Sequence, residues 1–175
     1  NIKFKRQYLL GKKWNGIIYD YKGIEYYEIK EGEGEGKIYY FNGKLKYEGK
    51  YKNGYGKEYY ENGNIEFEGE YKNGERNGKG IEYSYDSKLK FEGEYKNGER
   101  SGKGKEYFDN GKLKFEGEYN NGERNEKGKE YNKDGGLIFE GEYLNNKKKK
   151  GKEYDVNGNI YFEGEYLDGK INGKR

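Results

Sequence analysis

The chain has 175 residues, a length that suits one ordinary domain or one run of repeats. Charged residues make up 39% and hydrophobic residues only 30%, a balance typical of disorder, but aromatic residues reach 18%, which disordered chains lack. The 36 Lys and Arg and the 33 Asp and Glu residues are mixed along the chain and leave a net charge of +3. This mixture argues against nucleic acid and membrane lipid as partners. His and Cys are absent, which excludes His-based triads, thiol nucleophiles and ordinary zinc sites.

The first part of the chain is the least regular. Ile2-Lys3-Phe4 matches the start of a later strand, Leu113-Lys114-Phe115, whereas the segment Tyr27–Glu31 lacks the second aromatic residue of its counterparts. The Gly-rich segment Glu31–Gly36 superficially resembles a phosphate-binding loop. Its alternating Glu residues would repel phosphate, and no helix is predicted to follow. We therefore interpret it as a shortened hairpin loop.

An internal repeat runs through the whole chain. Equivalent aromatic residues are 20 residues apart at first and 24 apart later, with a last interval of 23. These residues are Tyr27, Tyr47, Phe67, Phe91, Phe115, Phe139 and Phe162. Such self-similarity predicts stacked units that bury their apolar surface against one another.

Within each regular unit, apolar and charged residues alternate with a period of two, which predicts strands. In segment 113–119 the apolar residues and Gly117 would share one face. A three-residue loop that ends at Gly111, with this glycine in the left-handed region, pairs Tyr107 with Leu113. A two-residue turn would instead pair Tyr107 with Lys114. We choose the first register, since it keeps all apolar residues on one face. The sequence thus predicts an all-β fold, an elongated single-layer twisted antiparallel sheet of about seven hairpin repeats.

The aromatic columns formed by successive repeats are the candidate binding residues. Most rings are expected to form the core, but a single-layer sheet leaves a strip of rings open unless its twist closes it. Lysine stems of the Lys105 column are expected on the same face, at the side of the resulting groove. The candidate groove-lining residues are Tyr59, Tyr83, Tyr107, Tyr131, Phe67, Phe91, Phe115, Tyr71, Tyr95, Tyr119 and Lys105.

Catalysis is not indicated. Carboxylate pairs such as Glu116 and Glu118 recur in every regular unit, whereas an active site would break the symmetry of the repeat. We therefore predict no catalytic residue, no metal site and no cofactor. Lys147–Lys150 replaces the segment Glu-Arg-Asn-Gly, which we interpret as a loop in the other units. It is either a solvated loop, which we favour, or a contact for an anionic partner.

Residues 67–80, Phe-Glu-Gly-Glu-Tyr-Lys-Asn-Gly-Glu-Arg-Asn-Gly-Lys-Gly, resemble the MORN repeat, whose pattern is roughly Y-E-G-E-W-x-x-G-x-x-x-G-x-G. Tyr71 replaces the usual Trp, and the period is slightly longer than the common one. In these departures the chain is similar to variant MORN-like repeats, such as those of YwqK-type antitoxin proteins. The resemblance implies an elongated sheet whose groove holds a helix or peptide, from a partner or from the same chain, and whose ends can mediate dimers.

We accordingly predict a non-catalytic scaffold that binds a partner helix or extended peptide in an aromatic-lined groove. Two alternatives stay open: an antitoxin- or immunity-type inhibitor of a cognate protein, and an accessory array beside a catalytic domain outside residues 1–175.

The last unit is regular and shows no capping change. Residues 1–175 are therefore expected to be one array within a longer chain, or to self-associate end to end. No apolar run has the length of a membrane span or signal segment, and we expect a cytoplasmic or otherwise intracellular location.

Overall fold

The computed structural model describes residues 3–9, 12–19, 25–29, 35–40, 42–50 and 53–172, with side chains from residue 36 onward. All regular elements in these ranges are strands, as the period-two pattern predicts. The chain divides into two compact units, Asn1–Ser87 and Lys88–Arg175. Of the Gly-rich loop predicted at Glu31–Gly36, residues 31–34 lie outside the described residues, and Glu35 and Gly36 begin a strand.

The described residues of the first unit form eight strands. They are β1 (Lys3–Leu9), β2 (Lys12–Tyr19), β3 (Glu25–Ile29), β4 (Glu35–Tyr39), β5 (Leu45–Lys50), β6 (Asn53–Tyr59), β7 (Ile65–Lys72) and β8 (Glu75–Tyr83). Strands β1–β3 form a three-stranded sheet, and β4–β8 follow one another as antiparallel neighbours.

In the second unit, residues 88–172 form eight further strands, each an antiparallel neighbour of the next. They are β9 (Leu89–Lys96), β10 (Glu99–Tyr107), β11 (Leu113–Asn120), β12 (Glu123–Tyr131), β13 (Leu137–Leu144), β14 (Lys147–Tyr154), β15 (Ile160–Leu167) and β16 (Lys170–Asn172). The prediction of an all-β array of antiparallel hairpins is confirmed.

The predicted hairpin register is also confirmed. Tyr107 lies opposite Leu113, and Gly111 between them has a φ of 80°. Gly63 and Gly158 occupy the same position in their hairpins, with φ values of 93° and 81°. The Gly111 amide donates a 2.8 Å hydrogen bond to the carbonyl of Phe108, which closes the turn.

The prediction that all apolar columns share one face is wrong. A β-bulge follows each of these turns: Tyr107 pairs with Leu113, but Glu106 pairs with Phe115, which leaves Lys114 as the extra residue. Directly opposite residues of an antiparallel pair point to the same face, and an extra residue shifts the alternation. Phe115 therefore shares its face with Glu106, whereas Tyr107 and Leu113 lie on the other face.

At the opposite end of the strands, the hairpins close with two-residue turns. Asn97 and Gly98 have φ values of 52° and 86°, the left-handed pair that a type I′ turn requires. The Glu-Arg-Asn-Gly segments that follow these turns are therefore parts of strands. Lys147–Lys150, expected to be a loop, likewise begins β14.

The core lies on the face that carries the Phe residues. Phe67, Phe91, Phe115 and Phe139 are completely buried. Each ring lies across glycines. A Cβ at Gly117 would stand 2.6 Å from the Phe115 ring and equally close to a backbone carbonyl of β12. The Phe115 ring also meets Tyr119 and Tyr143 edge-on, at centroid distances of 5.6 and 5.3 Å. A single sheet thereby buries large rings without a second layer.

Candidate functional site

The Phe face of each unit is closed by its own cations. The guanidinium of Arg100 lies 4.1 Å from the Phe91 ring centroid, and that of Arg124 lies 4.2 Å from Phe115. In the first unit Arg76 stands 4.2 Å from Phe67. These cation–π contacts cover the outer surface of the rings. We call this face the capped face.

Carboxylates hold the capping cations in place. Glu106 accepts hydrogen bonds from Arg124 at 3.0 and 2.9 Å and from the Tyr119 hydroxyl at 2.7 Å. Burial alone would raise the pKa of the Glu106 carboxyl, but the hydrogen bonds and charge of Arg124 and the Tyr119 hydroxyl outweigh it and hold the pKa at about 2. Arg124 also donates to Glu130 at 2.6 Å. The face is thus sealed by an ionised, hydrogen-bonded network.

Six of the candidate groove residues therefore belong to the core. Phe67, Phe91 and Phe115 are 0% exposed, and the tyrosines that pack against them are at most 5% exposed. Those tyrosines are Tyr71, Tyr95 and Tyr119. A ring that the protein already covers presents no surface to a partner, so the open aromatic groove expected on this face is not formed.

The other four tyrosines lie on the opposite face, which we call the open face. Tyr107 donates a 2.6 Å hydrogen bond to Glu92, and Tyr131 donates one of 2.7 Å to Glu116. In the first unit, Tyr83 and Tyr59 bind Glu68 and Glu48 in the same way, at 2.8 and 2.5 Å. Burial and then these hydrogen bonds raise the pKa of all four tyrosines to about 12.

In the second unit these tyrosines alternate with aliphatic residues across the strands. Each Tyr stands opposite the aliphatic residue that begins the next strand, and most members are neither buried nor fully exposed. The members are Tyr107, Leu113, Tyr131, Leu137, Tyr154 and Ile160. We call this row the tyrosine stripe. Two strands separate successive tyrosines, a spacing of about 9.6 Å.

Lys105 also lies on the open face, with Tyr107 but not with the Phe residues. It stands directly opposite Glu92 on one neighbouring strand and opposite Glu116 on the other. Later in the row, Lys129 lies 3.8 Å from Glu140. A line of alternating carboxylates and ammonium groups thus borders the tyrosine stripe. Its charges nearly cancel.

Sequence reasoning missed the capping arginines, because the Glu-Arg segments were interpreted as loops. Asn97-Gly98 is the strongest short signal for a two-residue hairpin. If Asn97-Gly98 is interpreted as a two-residue turn, Arg100 falls in a strand directly opposite Tyr95, and therefore on the capped face. The same step places Lys148 opposite Tyr143. Lys148 lies 4.3 Å from the Phe139 ring, so it acts as a cap and not as a solvated loop residue.

Neither a metal centre nor a membrane span is evident in the part of the chain that the structure describes. No three or more acidic side chains there are grouped to hold a metal ion. Within the same residues, the structure contains no helix long and apolar enough to cross a membrane.

Family models agree with the repeat boundaries seen in the strands. The MORN repeat model matches residues 67–88, 91–112, 115–137 and 162–174. The MORN repeat variant model matches residues 32–53 and 52–73, where the repeat is shorter. The chain belongs to the MORN-repeat family. No curated protein matches it. MORN repeats are a non-catalytic repeat type and generally act as protein- or membrane-interaction motifs. The likeness to YwqK-type proteins stays a prediction.

Proposed function

We propose that this MORN array is a non-catalytic protein-interaction scaffold that binds a helix or extended peptide of a partner protein along the tyrosine stripe. The observation that carries the proposal is the division between the two faces. Rings of the capped face are sealed by arginine and lysine, whereas the rings of Tyr107 and Tyr131 remain partly accessible. Of the two aromatic rows, the stripe is the one that offers ring surface to a partner.

The hydrogen bonds of the stripe favour binding. Tyr107 and Tyr131 are each tied through the hydroxyl to a carboxylate on the preceding strand. Their rings are therefore held in position before a partner arrives, and little side-chain entropy is lost on binding. Tyrosine also offers a large apolar surface beside polar groups, which suits a protein interface.

The test is capture of a partner from the native source on immobilised protein, with identification of what binds. We expect the variant carrying Tyr107→Ser and Tyr131→Ser to lose the partner that the wild-type chain retains. Tyr85→Ser is the matched control, because Tyr85 is 58% exposed but lies in a hairpin loop outside the stripe. Circular dichroism checks that all variants stay folded. Equal loss in the control, or retention by the double variant, would contradict the proposal.

A second comparison separates the rings from the charged border. Glu116 accepts a hydrogen bond from the Tyr131 hydroxyl, so reversal of its charge also releases that ring. Glu118 lies on the same face but accepts no tyrosine hydroxyl among the described residues. We expect Glu116→Lys to weaken capture of the identified partner more than Glu118→Lys. Titration calorimetry with that partner measures the difference. Equal weakening would assign binding to the net charge of the face and not to the tyrosine stripe.

A further inference from the structure

The two-residue turns of the second unit carry a change in chemistry that the repeat does not require. On the open face, the residue before each turn pairs with the residue after it. In chain order the pairs are Lys96–Glu99, Asn120–Glu123, Leu144–Lys147 and Leu167–Lys170. On a face that contacts only solvent, equivalent positions of successive hairpins are expected to keep the same kind of residue. In the last two hairpins, however, Leu replaces the polar residue before the turn and Lys replaces the Glu after it. We call Leu144, Lys147, Leu167 and Lys170 the leucine–lysine row.

Both leucines are exposed and contribute nothing to the core. Leu144 is 54% exposed and Leu167 is 67% exposed. Single exposed leucines are common on protein surfaces, but two at equivalent positions of neighbouring hairpins form a repeated apolar feature. Both positions tolerate Lys or Asn in earlier hairpins, so the fold itself does not need leucine there.

The change to lysine makes this end of the open face more cationic than its counterparts. Lys147 forms an ion pair with Asp168 at 3.2 Å, and the two side chains are 61% and 82% exposed. Solvent screens such an exposed ion pair, so it is weak. Lys170 is exposed, and no carboxylate of residues 53–172 lies within 4.0 Å of its ammonium group. Two ammonium groups therefore remain accessible to carboxylates of a partner.

The spacing of the row identifies the shape of the partner. Its four members come from four consecutive strands, so neighbours are about 4.8 Å apart and the two leucines about 9.6 Å apart. An α-helix rises about 4.5–6 Å over three or four residues and about 10.5 Å over seven, and these residues share one face. An extended strand presents a residue to the same face about every 6.6 Å, which does not match.

We propose that the leucine–lysine row docks an amphipathic helix of a partner protein, on which apolar and acidic residues alternate at three- and four-residue spacing along one face. Apolar residues of the helix pack on Leu144 and Leu167, and its carboxylates meet Lys147 and Lys170. A peptide can place its acidic residues at the lysines alone. An anionic membrane would also meet the carboxylates among them, Glu142, Glu165 and Asp168, which favours a protein partner.

The experiment uses the full chain and a labelled synthetic helix of about 20 residues, long enough to be helical in water, with leucine and glutamate alternating on one face. We expect saturable binding to the wild-type chain, measured by fluorescence anisotropy. The test variant carries Leu144→Lys, Lys147→Glu, Leu167→Lys and Lys170→Glu, which restores the Lys–Glu pairs of the earlier hairpin. It should bind at least about tenfold more weakly. Since the new residues occur naturally at this position, the fold should be retained.

The reciprocal variant, Asn120→Leu with Glu123→Lys in the hairpin next to the row, should strengthen binding of a longer helix by extending the row. Substitution of Tyr107 and Tyr131 by Ser should leave binding unchanged, which distinguishes this site from the tyrosine stripe. A peptide with lysine in place of glutamate should not bind. Equal binding of that peptide would overturn the proposal. So would an undiminished affinity of the restored variant, or binding to vesicles of phosphatidylcholine and phosphatidylserine in preference to the helix.

Discussion

At the residue scale, the strand that follows each two-residue turn contains a bulge. One residue of this bulge adopts a backbone conformation that favours glycine. Gly78 and Gly102 occupy this position in successive repeats, with φ values of 96° and 63°. The next repeat has Glu126 at the equivalent position, with a φ of 56°. A residue with a Cβ is disfavoured there, since the left-handed region brings the Cβ close to the backbone. The sequence thus departs from the repeat at a cost in stability.

We expect Glu126→Gly to stabilise the chain by about 0.5–1 kcal/mol, because relief of left-handed strain exceeds the greater freedom of glycine in the unfolded state. Gly111→Val tests the same principle in reverse. A Cβ there would meet no other atom, so its cost of about 1–2 kcal/mol comes from the φ of 80° alone. Urea unfolding of both variants measures the changes. Destabilisation by Glu126→Gly would show that the glutamate makes a compensating contact.

The capping cations are the second feature at this scale. Arg124 covers Phe115 and bridges Glu106 and Glu130, and its side chain is 15% exposed. We expect Arg124→Ala to cost about 2–3 kcal/mol, because it uncovers the ring and leaves two half-buried carboxylates without their partner.

Arg124→Lys is the matched variant, and the protein itself supplies the precedent. Lys148 holds the same position in the next repeat, 4.3 Å from the Phe139 ring and 3.0 Å from Glu153. The conservative change should therefore cost less than about 1 kcal/mol. Thermal unfolding of both variants checks the pair. A similar loss in each would mean that the guanidinium geometry, and not the positive charge over the ring, closes the face.

At the element scale, the strands and their register follow from the sequence, while the assignment of faces does not. The alternation in segment 113–119 predicts a strand, and the Asn110-Gly111 loop predicts the pairing of Tyr107 with Leu113. Both are confirmed. The bulge at Lys114 cannot be seen in a period-two pattern. The extra residue changes how β11 pairs with β10, but apolar and charged residues still alternate along the sequence. Four of the ten candidate rings therefore lie on the opposite face from the other six.

In each unit, the open-face tyrosines give the strands that carry them a measurable alkaline transition. Tyr59, Tyr83, Tyr107 and Tyr131 have a pKa of about 12 in the folded chain, raised by burial and by hydrogen bonds to Glu, against an ordinary value of 10.0. The protonated form is the one that the fold stabilises. Its contribution is complete below pH 10 and is lost as the pH rises through 12.

We therefore expect stability to fall between about pH 10 and pH 12, in parallel with tyrosinate formation followed by ultraviolet absorbance. Tyr107→Phe with Tyr131→Phe should remove part of the late titration and flatten the loss of stability in this range. Titration of these tyrosines at the ordinary value would contradict the hydrogen bonds described for the open face.

At the scale of the whole molecule, the second unit is held together by contacts between neighbouring hairpins. Arrays of this kind have a stability close to the sum of their repeats and of the interfaces between them. Phe115 illustrates such an interface: it is fully buried and touches Tyr143 of the next hairpin as well as Tyr119 of its own strand. Phe162 is only half-buried, and its ring packs edge-on against Tyr166.

These two residues form a matched pair for a test of cooperativity. We expect Phe115→Ala to cost about 3–5 kcal/mol and Phe162→Ala less than half as much, because a cavity costs more where the ring is fully enclosed. Loss of the Phe115 interface should also uncouple the hairpins on its two sides. Urea unfolding should then show two transitions, and hydrogen exchange should quicken in β11–β14 before β9. Under Phe162→Ala one transition should remain, with faster exchange confined to β15 and β16. A single transition with uniform exchange in both variants would mean that the unit unfolds as one block, and that its stability does not depend on one interface at a time.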